Sequence, residues 1–425
     1  MKISRIAGIA ALLTAGFAQA QTPSIKFDGV LFEFWQTQMM DNNLRNNSTA
    51  TAGASKYYGL DSRFAENNFA VKRAEIYFGG TVTDTITWNA MFDPNNSNTT
   101  SAPNNVLQDL IITWAPVKGF NLKAGQFKMP TTYEATLVSA REILFFERNQ
   151  LNRVFGDKRD RGLWASYGYG DAKSFAGKLN LAISNGTTED GSGGKNNENT
   201  LTGAGNAQKD WTFRFESTFL SKHKAGFYYR EGVSNLKDST MLSATIPGTW
   251  TVGAPSATQI KDTKDKTTLQ GVYYAFNSAS WQMSAEYGTG LLGRRFPTLF
   301  AAAAAPLREH LDQKFTGYAV DAAYKMGAHW FTARYDMMNY NSGDNWYTAT
   351  NPYKPTTGPN AGSDFSPKYT EMTVGYNYVF IPTKQSAGKL KLDFVKRSSN
   401  FLNPRAGQTG EQGGNSLVAS LMVAY

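Results

Sequence analysis

Apolar and polar residues change places at almost every position of this chain. Ile86, Trp88, Ala90 and Phe92 share one parity, and Thr87, Asn89, Met91 and Asp93 the other. The same period runs through Trp211, Phe213 and Phe215 against Thr212, Arg214 and Glu216, and through Phe331, Ala333 and Tyr335 against Thr332, Arg334 and Asp336. It recurs in Thr370, Met372, Val374, Tyr376 and Tyr378, and in Leu390, Leu392 and Phe394. Leu417, Ala419, Leu421, Val423 and Tyr425 carry it to the last residue. Successive side chains of a strand point to opposite faces, so this period predicts strands with one apolar and one polar face.

The connections alternate as well. Short ones fall at 81–84, 116–119, 169–173, 221–224, 277–280, 325–328 and 380–388. Long ones, rich in Asn, Gly, Ser and Thr, cover 41–67, 94–105, 128–160, 185–210, 233–267, 288–313, 338–367 and 397–415. Seven short and eight long connections join sixteen strands. Such asymmetry predicts an all-β fold: a 16-stranded antiparallel transmembrane β-barrel, with short turns in the periplasm and long loops outside the cell. A soluble sandwich or propeller would also alternate, but its apolar face would meet a core and need no aromatic belt. Here Trp88, Trp114, Phe120, Tyr167, Trp281, Trp330, Tyr376 and Tyr378 stand where strands meet turns. That is the level of lipid headgroups.

Composition agrees with this reading. The mean hydropathy of −0.42 suits a barrel, because half of each strand faces water. There are no cysteines, so disulfides do not hold the fold. The first 20 residues read as a secretory signal peptide: Lys2 and Arg5, an apolar run from Ile6 to Phe17, then Ala18-Gln19-Ala20. Residues 21–425 then form the barrel domain. Removing the two signal cations takes the formal charge from +9 to +7, which leans toward anionic solutes. No run of about 18 apolar residues follows, so no helix is expected to span the membrane. A terminal aromatic on the lipid face, Tyr425, is the expected signal to the barrel-assembly machinery. Outer-membrane lipid and lipopolysaccharide are the expected surroundings, in a Gram-negative bacterium, and nothing points to nucleic acid. His223, His310 and His329 lie far apart, with no metal-ligand spacing, and no Ser/His/Asp arrangement stands out. Neither a cofactor nor an enzyme activity is expected.

One connection is unlike the others. Residues 141–162, REILFFERNQLNRVFGDKRDRG, hold six basic residues, four acids and the pair Phe145-Phe146. The wider segment 107–162 contains Gln108-Asp109, then Gly125-Gln126-Phe127-Lys128 with Pro130, then Glu134, Phe146-Glu147-Arg148, and Arg159-Asp160 with Gly162. In this order the pieces resemble the phosphate-selective porin O and P family, clearly so over about residues 65–170. The resemblance implies a trimeric sixteen-stranded porin whose third extracellular loop folds inward and narrows the pore. That loop corresponds to residues 128–160. It would bury Phe145, Phe146, Leu151 and Phe155 against the barrel wall and present charge to the lumen.

A porin of this kind performs no covalent chemistry. Arginines and lysines along its lumen attract anions, and the planar guanidinium suits phosphate. Parity offers Arg73, Tyr77, Lys123, Arg214 and Arg334 from the strands. The loop offers Lys128, Tyr133, Arg141, Arg148, Arg153 and Lys158. Several have a second reading. Arg73 with Glu75, Arg214 with Glu216, and Arg334 with Asp336 are also candidate ion pairs of the wall, and Arg148 beside Glu147 a clamp for the loop. The competing function is a non-conducting barrel, plugged by its loops, that serves as an adhesin or anchor.

Overall fold

The computed structural model describes residues 23–39, 68–95, 106–186, 209–233, 266–292, 313–340, 342–343, 366, 368–401 and 412–425. Residues 1–20, read above as a signal peptide, and His310 lie outside the described residues, as does most of the 185–210 connection.

Sixteen strands follow one another: β1 (Ser24–Met39), β2 (Asn68–Thr83), β3 (Ile86–Phe92), β4 (Leu107–Trp114), β5 (Phe120–Lys128), β6 (Arg159–Asp171), β7 (Phe175–Ser184), β8 (Asp210–Phe219), β9 (His223–Val233), β10 (Lys266–Asn277), β11 (Trp281–Leu292), β12 (Gln313–Met326), β13 (His329–Asn339), β14 (Lys368–Val379), β15 (Gly388–Phe401) and β16 (Gln412–Ala424). Each pairs antiparallel with its neighbours in sequence, and β16 returns to β1, so the sheet closes. Closure leaves no unpaired edge, which is what allows a sheet to sit in hydrocarbon.

Parity sorts the wall as the alternation requires. Leu110, Ile112, Leu179, Leu181, Trp211, Phe331, Val374, Leu392, Leu421 and Val423 are exposed on the outside. Asn180, Arg214, Asp321, Arg334, Glu371 and Asp393 are buried on the inside. Trp330 departs from the expected aromatic belt. It is 3% exposed and points inward, where its indole donates to the Gly327 carbonyl at 3.1 Å. Its neighbours His329 and Phe331 hold the outward parity. His223 and His329 sit at the short-turn end, where Nδ1 lies 2.6 Å from the Tyr274 hydroxyl and 2.7 Å from the Tyr376 hydroxyl, respectively.

The seam between β1 and β16 depends on one glycine. Gly29 has φ +127° and stands beside the last residue, where Val30 and Tyr425 exchange backbone hydrogen bonds at 3.2 and 3.3 Å. A Cβ at Gly29 would run into the Tyr425 carbonyl oxygen. Positive φ and close approach together call for glycine. Gly29→Ala is expected to weaken barrel closure by about 1–3 kcal/mol, visible as a lower temperature for the folded-to-unfolded band shift on a semi-native gel.

Candidate functional site

The connection between β5 and β6 runs from Met129 to Lys158, since Lys128 ends β5 and Arg159 opens β6. It is therefore slightly shorter than the 128–160 span expected from sequence. It contains one helical turn, α1 (Tyr133–Thr136), and tight turns at 140–142 and 152–156. Its side chains and backbone lie against the inner wall. Phe145, Phe146, Leu151 and Phe155 are 0%, 2%, 0% and 9% exposed. Phe145 and Phe146 pack with Trp35, Ala323, Trp330, Val379, Val395 and Val418. Leu151 and Phe155 pack with Tyr228, Tyr273, Phe315 and Tyr369, and the Phe155 ring stacks on Phe315 at 3.6 Å. Burying each such side chain is worth roughly 1.5–3 kcal/mol.

Hydrophobic contact alone leaves the segment's backbone polar groups buried and in need of partners. Lumenal side chains supply them. Glu286 accepts from the Tyr133 amide at 2.7 Å and from Asn152 Nδ2 at 2.6 Å. Asp393 accepts from the Phe146 amide at 2.7 Å, and Asp336 from the Gln150 amide. Lys389 donates to the Ile143 carbonyl at 2.8 Å, Lys391 to the Phe145 carbonyl at 3.0 Å, and Asn377 to the Leu144 carbonyl at 2.7 Å. The strands thus hold the segment from several sides.

The sequence candidates divide into two groups against this background. Most are bound to carboxylates. Arg334 pairs with Asp321 at 2.7 Å and with Glu134, donates to the Glu147 carbonyl at 2.7 Å, and lies over the Phe145 ring. Its expected partner Asp336 is instead engaged with the loop backbone. Arg148 pairs with Asp157 at 3.1 Å rather than with Glu147, whose carboxylate is held by Lys72 and Arg73. Arg73 also reaches Glu33 at 3.2 Å and Glu75 at 3.5 Å. Arg153 pairs with Glu371 at 3.3 Å, Lys128 with Asp157 at 2.6 Å, and Arg214 with Glu216 at 2.8 Å. Arg214 also donates to Thr136 at the start of the segment. Tyr133 stacks on Tyr273 at 5.1 Å. Lys158 closes the segment through its carbonyl, which accepts from the Met129 amide at 2.9 Å.

The second group keeps its charge unspent. Lys123 lies over the Trp164 ring at 4.3 Å. Arg141 lies over the Tyr77 ring at 4.6 Å, and the Tyr77 hydroxyl donates to Glu75. Neither cation forms an ion pair among the described residues. A third cation joins them that sequence reading passed over. Lys178 is opposite Glu216 in register, two residues from the inward-facing Asn180, and it too forms no ion pair among the described residues. Asn180 accepts from the Trp164 indole at 3.1 Å and donates to Glu216 at 2.8 Å, which fixes the wall between the two lysines. Lys178 was legible in principle, because it lies between outward Gly177 and Leu179 in the same alternation.

The ion pairs of the segment set its response to acid. Burial pushes the Glu147 carboxyl up, but Lys72 and Arg73 outweigh it and hold the group well below the ordinary carboxylate range. Lys128 and Arg148 do the same to Asp157 against its own burial. A carboxyl with a depressed folded pKa contributes its full stability above its unfolded value, here 4.5 for Glu147, and loses it as pH falls through the folded value. Glu147→Gln is therefore expected to lower the unfolding temperature equally at pH 7 and at pH 6. The difference should shrink only in strong acid, as followed by tryptophan fluorescence.

Comparison with known proteins agrees with this architecture. The family model described as phosphate-selective porin O and P matches residues 48–379. Solved structures share the fold at low identity. An anion-selective porin from Comamonas acidovorans aligns with TM-score 0.53 and 10% identity over 95% of this chain and 100% of its own. OprB of Pseudomonas putida gives 0.53 and 9% over 98% and 96%. OmpT of Vibrio cholerae, in a trimer form, gives 0.51 and 12% over 95% and 100%. No curated protein sequence matches.

Proposed function

The chain belongs to the phosphate-selective porin O and P family and is an outer-membrane β-barrel porin of a Gram-negative bacterium, and on that premise we propose that it passes small hydrophilic solutes with a preference for anions, phosphate among them. One observation carries the preference. Lys123, over the Trp164 ring, and Lys178, opposite Glu216 on the same inner wall, form no ion pair among the described residues. Arg141 on the inner segment adds a third such cation. An ammonium on a flexible stem attracts an anion without the tight fork of an arginine, so an ion binds loosely and leaves. Arg334, Arg148, Arg214 and Arg153 are paired with Glu134, Asp157, Glu216 and Glu371, which leaves the three unpaired cations as the loosest anion sites of this reading.

The same reading includes a homotrimer, the form in which OmpT of Vibrio cholerae was solved, and delivery to the assembly machinery through Tyr425. A second reading, a non-conducting anchor, draws support from the dense packing of residues 143–155 across the interior. Reversal potential in a planar bilayer under a KCl gradient separates the two. The expected result is a potential of the sign that marks chloride preference, with phosphate reducing the chloride current on titration. A cation-preferring channel removes the anion reading, and folded protein without conductance replaces it with the anchor.

A further inference from the structure

A glycine opens a recess in the wall behind the inner segment. Thr332 on β13, Gly375 on β14 and Asp393 on β15 stand side by side in register on the inner face. A Cβ at Gly375 would run into both Asp393 Oδ1 and Thr332 Oγ1, so the two flanking side chains close on the same point over the glycine. Thr373 and Asn377 stand two residues to either side of Gly375 on the same face of β14. The roof is apolar: Leu144, Phe145 and Phe146 pack over this wall with Trp330, Val379, Val395 and Val418. The backbone of the segment is tied down at the same place. Asp393 Oδ2 accepts from the Phe146 amide at 2.7 Å, and Asn377 Nδ2 donates to the Leu144 carbonyl at 2.7 Å.

Four oxygens around this recess have no hydrogen-bond partner among the described residues: Thr332 Oγ1, Thr373 Oγ1, Asn377 Oδ1 and Asp393 Oδ1. Their residues are 3%, 1%, 0% and 0% exposed. Buried polar atoms of native proteins nearly always find a partner. Asp393 also forms no ion pair among the described residues. The cations of the neighbouring rows are committed elsewhere. Lys391 is held by Glu33 at 2.6 Å and by the Phe145 carbonyl at 3.0 Å. Arg334 is held by Asp321, by Glu134 and by the Glu147 carbonyl. A carboxylate taken out of water needs a positive charge close at hand.

An ordered water among the four oxygens would satisfy their hydrogen bonds but leave the charge of Asp393 unanswered. A bound cation answers both needs. Ligands that are all oxygen select a hard cation. Magnesium keeps several waters in a strict octahedron, for which a recess roofed by phenylalanines has no place. Calcium takes about six to eight oxygens and gains affinity from several carboxylates. This recess offers one carboxylate, two hydroxyls and one amide oxygen, a set that balances a single positive charge. Its size, the space of one missing side chain, favours a small ion over a large one. We propose that Asp393, Thr332, Thr373 and Asn377 form a sodium site behind the inner segment, and that the ion steadies Asp393 in its grip on the Phe146 amide. The inference rests on the covered side of the segment and is independent of which solute the lumen conducts.

The test heats the full barrel in non-ionic detergent with sodium chloride, caesium chloride or N-methylglucamine chloride at equal ionic strength, and follows unfolding by tryptophan fluorescence. An ion at about ten times its dissociation constant multiplies the folded-to-unfolded ratio roughly elevenfold. Sodium is therefore expected to raise the unfolding midpoint of the native protein by about 2–4 °C over N-methylglucamine, with caesium ineffective. Asp393→Asn keeps an acceptor for the Phe146 amide but removes the charge, and should abolish the sodium shift. Thr332→Val keeps the shape but removes one ligand, and should reduce it. Asp336→Asn changes another carboxylate that holds a segment amide, and should leave the sodium shift intact. A native protein with the same midpoint in sodium and in N-methylglucamine overturns the proposal, and water with a protonated Asp393 then fills the recess. An equal shift from caesium overturns it too, because it marks ionic screening rather than a site. So does a sodium shift that survives in the folded Asp393→Asn variant.

Discussion

Arg334→Ala is expected to unseat the inner segment and destabilise the protein by about 3–5 kcal/mol, the usual cost of breaking a buried ion pair from one side. Arg334 is 4% exposed and joins three things at once: Asp321 on β12, Glu134 of α1, and the Glu147 carbonyl further along the segment. Its guanidinium also covers the Phe145 ring at 4.3 Å. Alanine leaves Asp321 and Glu134 buried without their cation and opens a gap beside Phe145. Other anchors, Asp393 to the Phe146 amide and Lys391 to the Phe145 carbonyl among them, hold the segment's backbone and bring no cation to Asp321 or Glu134. Two measurements check the outcome. The unfolding temperature should fall, and single-channel current should become larger and noisier as the segment leaves its seat. Arg334→Lys should recover only part of the loss, since an ammonium cannot reach all three partners with a planar fork. An alanine variant with native unfolding and native current would remove Arg334 from the role of clamp.

The second large effect concerns selectivity rather than stability. The double variant Lys123→Glu, Lys178→Glu is expected to shift the anion-to-cation permeability ratio at least about tenfold toward cations. A unit charge about 4 Å from a permeating ion is worth about 1 kcal/mol even in water-like surroundings, or roughly a factor of five, and the variant reverses two such charges. Neither lysine belongs to an ion pair among the described residues, so the variant breaks no salt bridge of the inner segment. Reversal potentials before and after the change, at low and high salt, read the shift directly. High salt should reduce it, because the lysines act on ions through water. An unchanged ratio would move the selectivity away from the wall between β5 and β7.

The bulk of the architecture was legible in the sequence. Alternation through segments such as 329–339 and 388–396 marks which face meets lipid, and the short and long connections give sixteen strands and their sidedness. Phe145, Phe146, Leu151 and Phe155 announce a connection that must be buried. These features are local: a side chain's parity depends only on its neighbours along the strand. Trp330 shows the limit of reading by residue type, since it was assigned to the aromatic belt for being a tryptophan near a turn, while its parity sends it inward.

The distribution of charge was decided by tertiary structure. Arg334 meets Glu134 across 200 positions of sequence, Lys391 meets Glu33 across 358, and Arg153 meets Glu371 across 218. Parity places such residues inside the barrel but does not say which acid stands opposite which base. Closing the sheet and laying residues 129–158 across its interior sets those distances. Burial then makes the pairing obligatory, because a charge removed from water needs a partner close at hand. The arginines therefore meet carboxylates of the wall and of the inner segment, Arg214 with Glu216 and Arg153 with Glu371 among them, while Lys123, Lys178 and Arg141 form no ion pair among the described residues. The chain by itself determined a barrel and a greasy, charged inner connection; the three-dimensional closure determined which charges hold that connection and which form no ion pair.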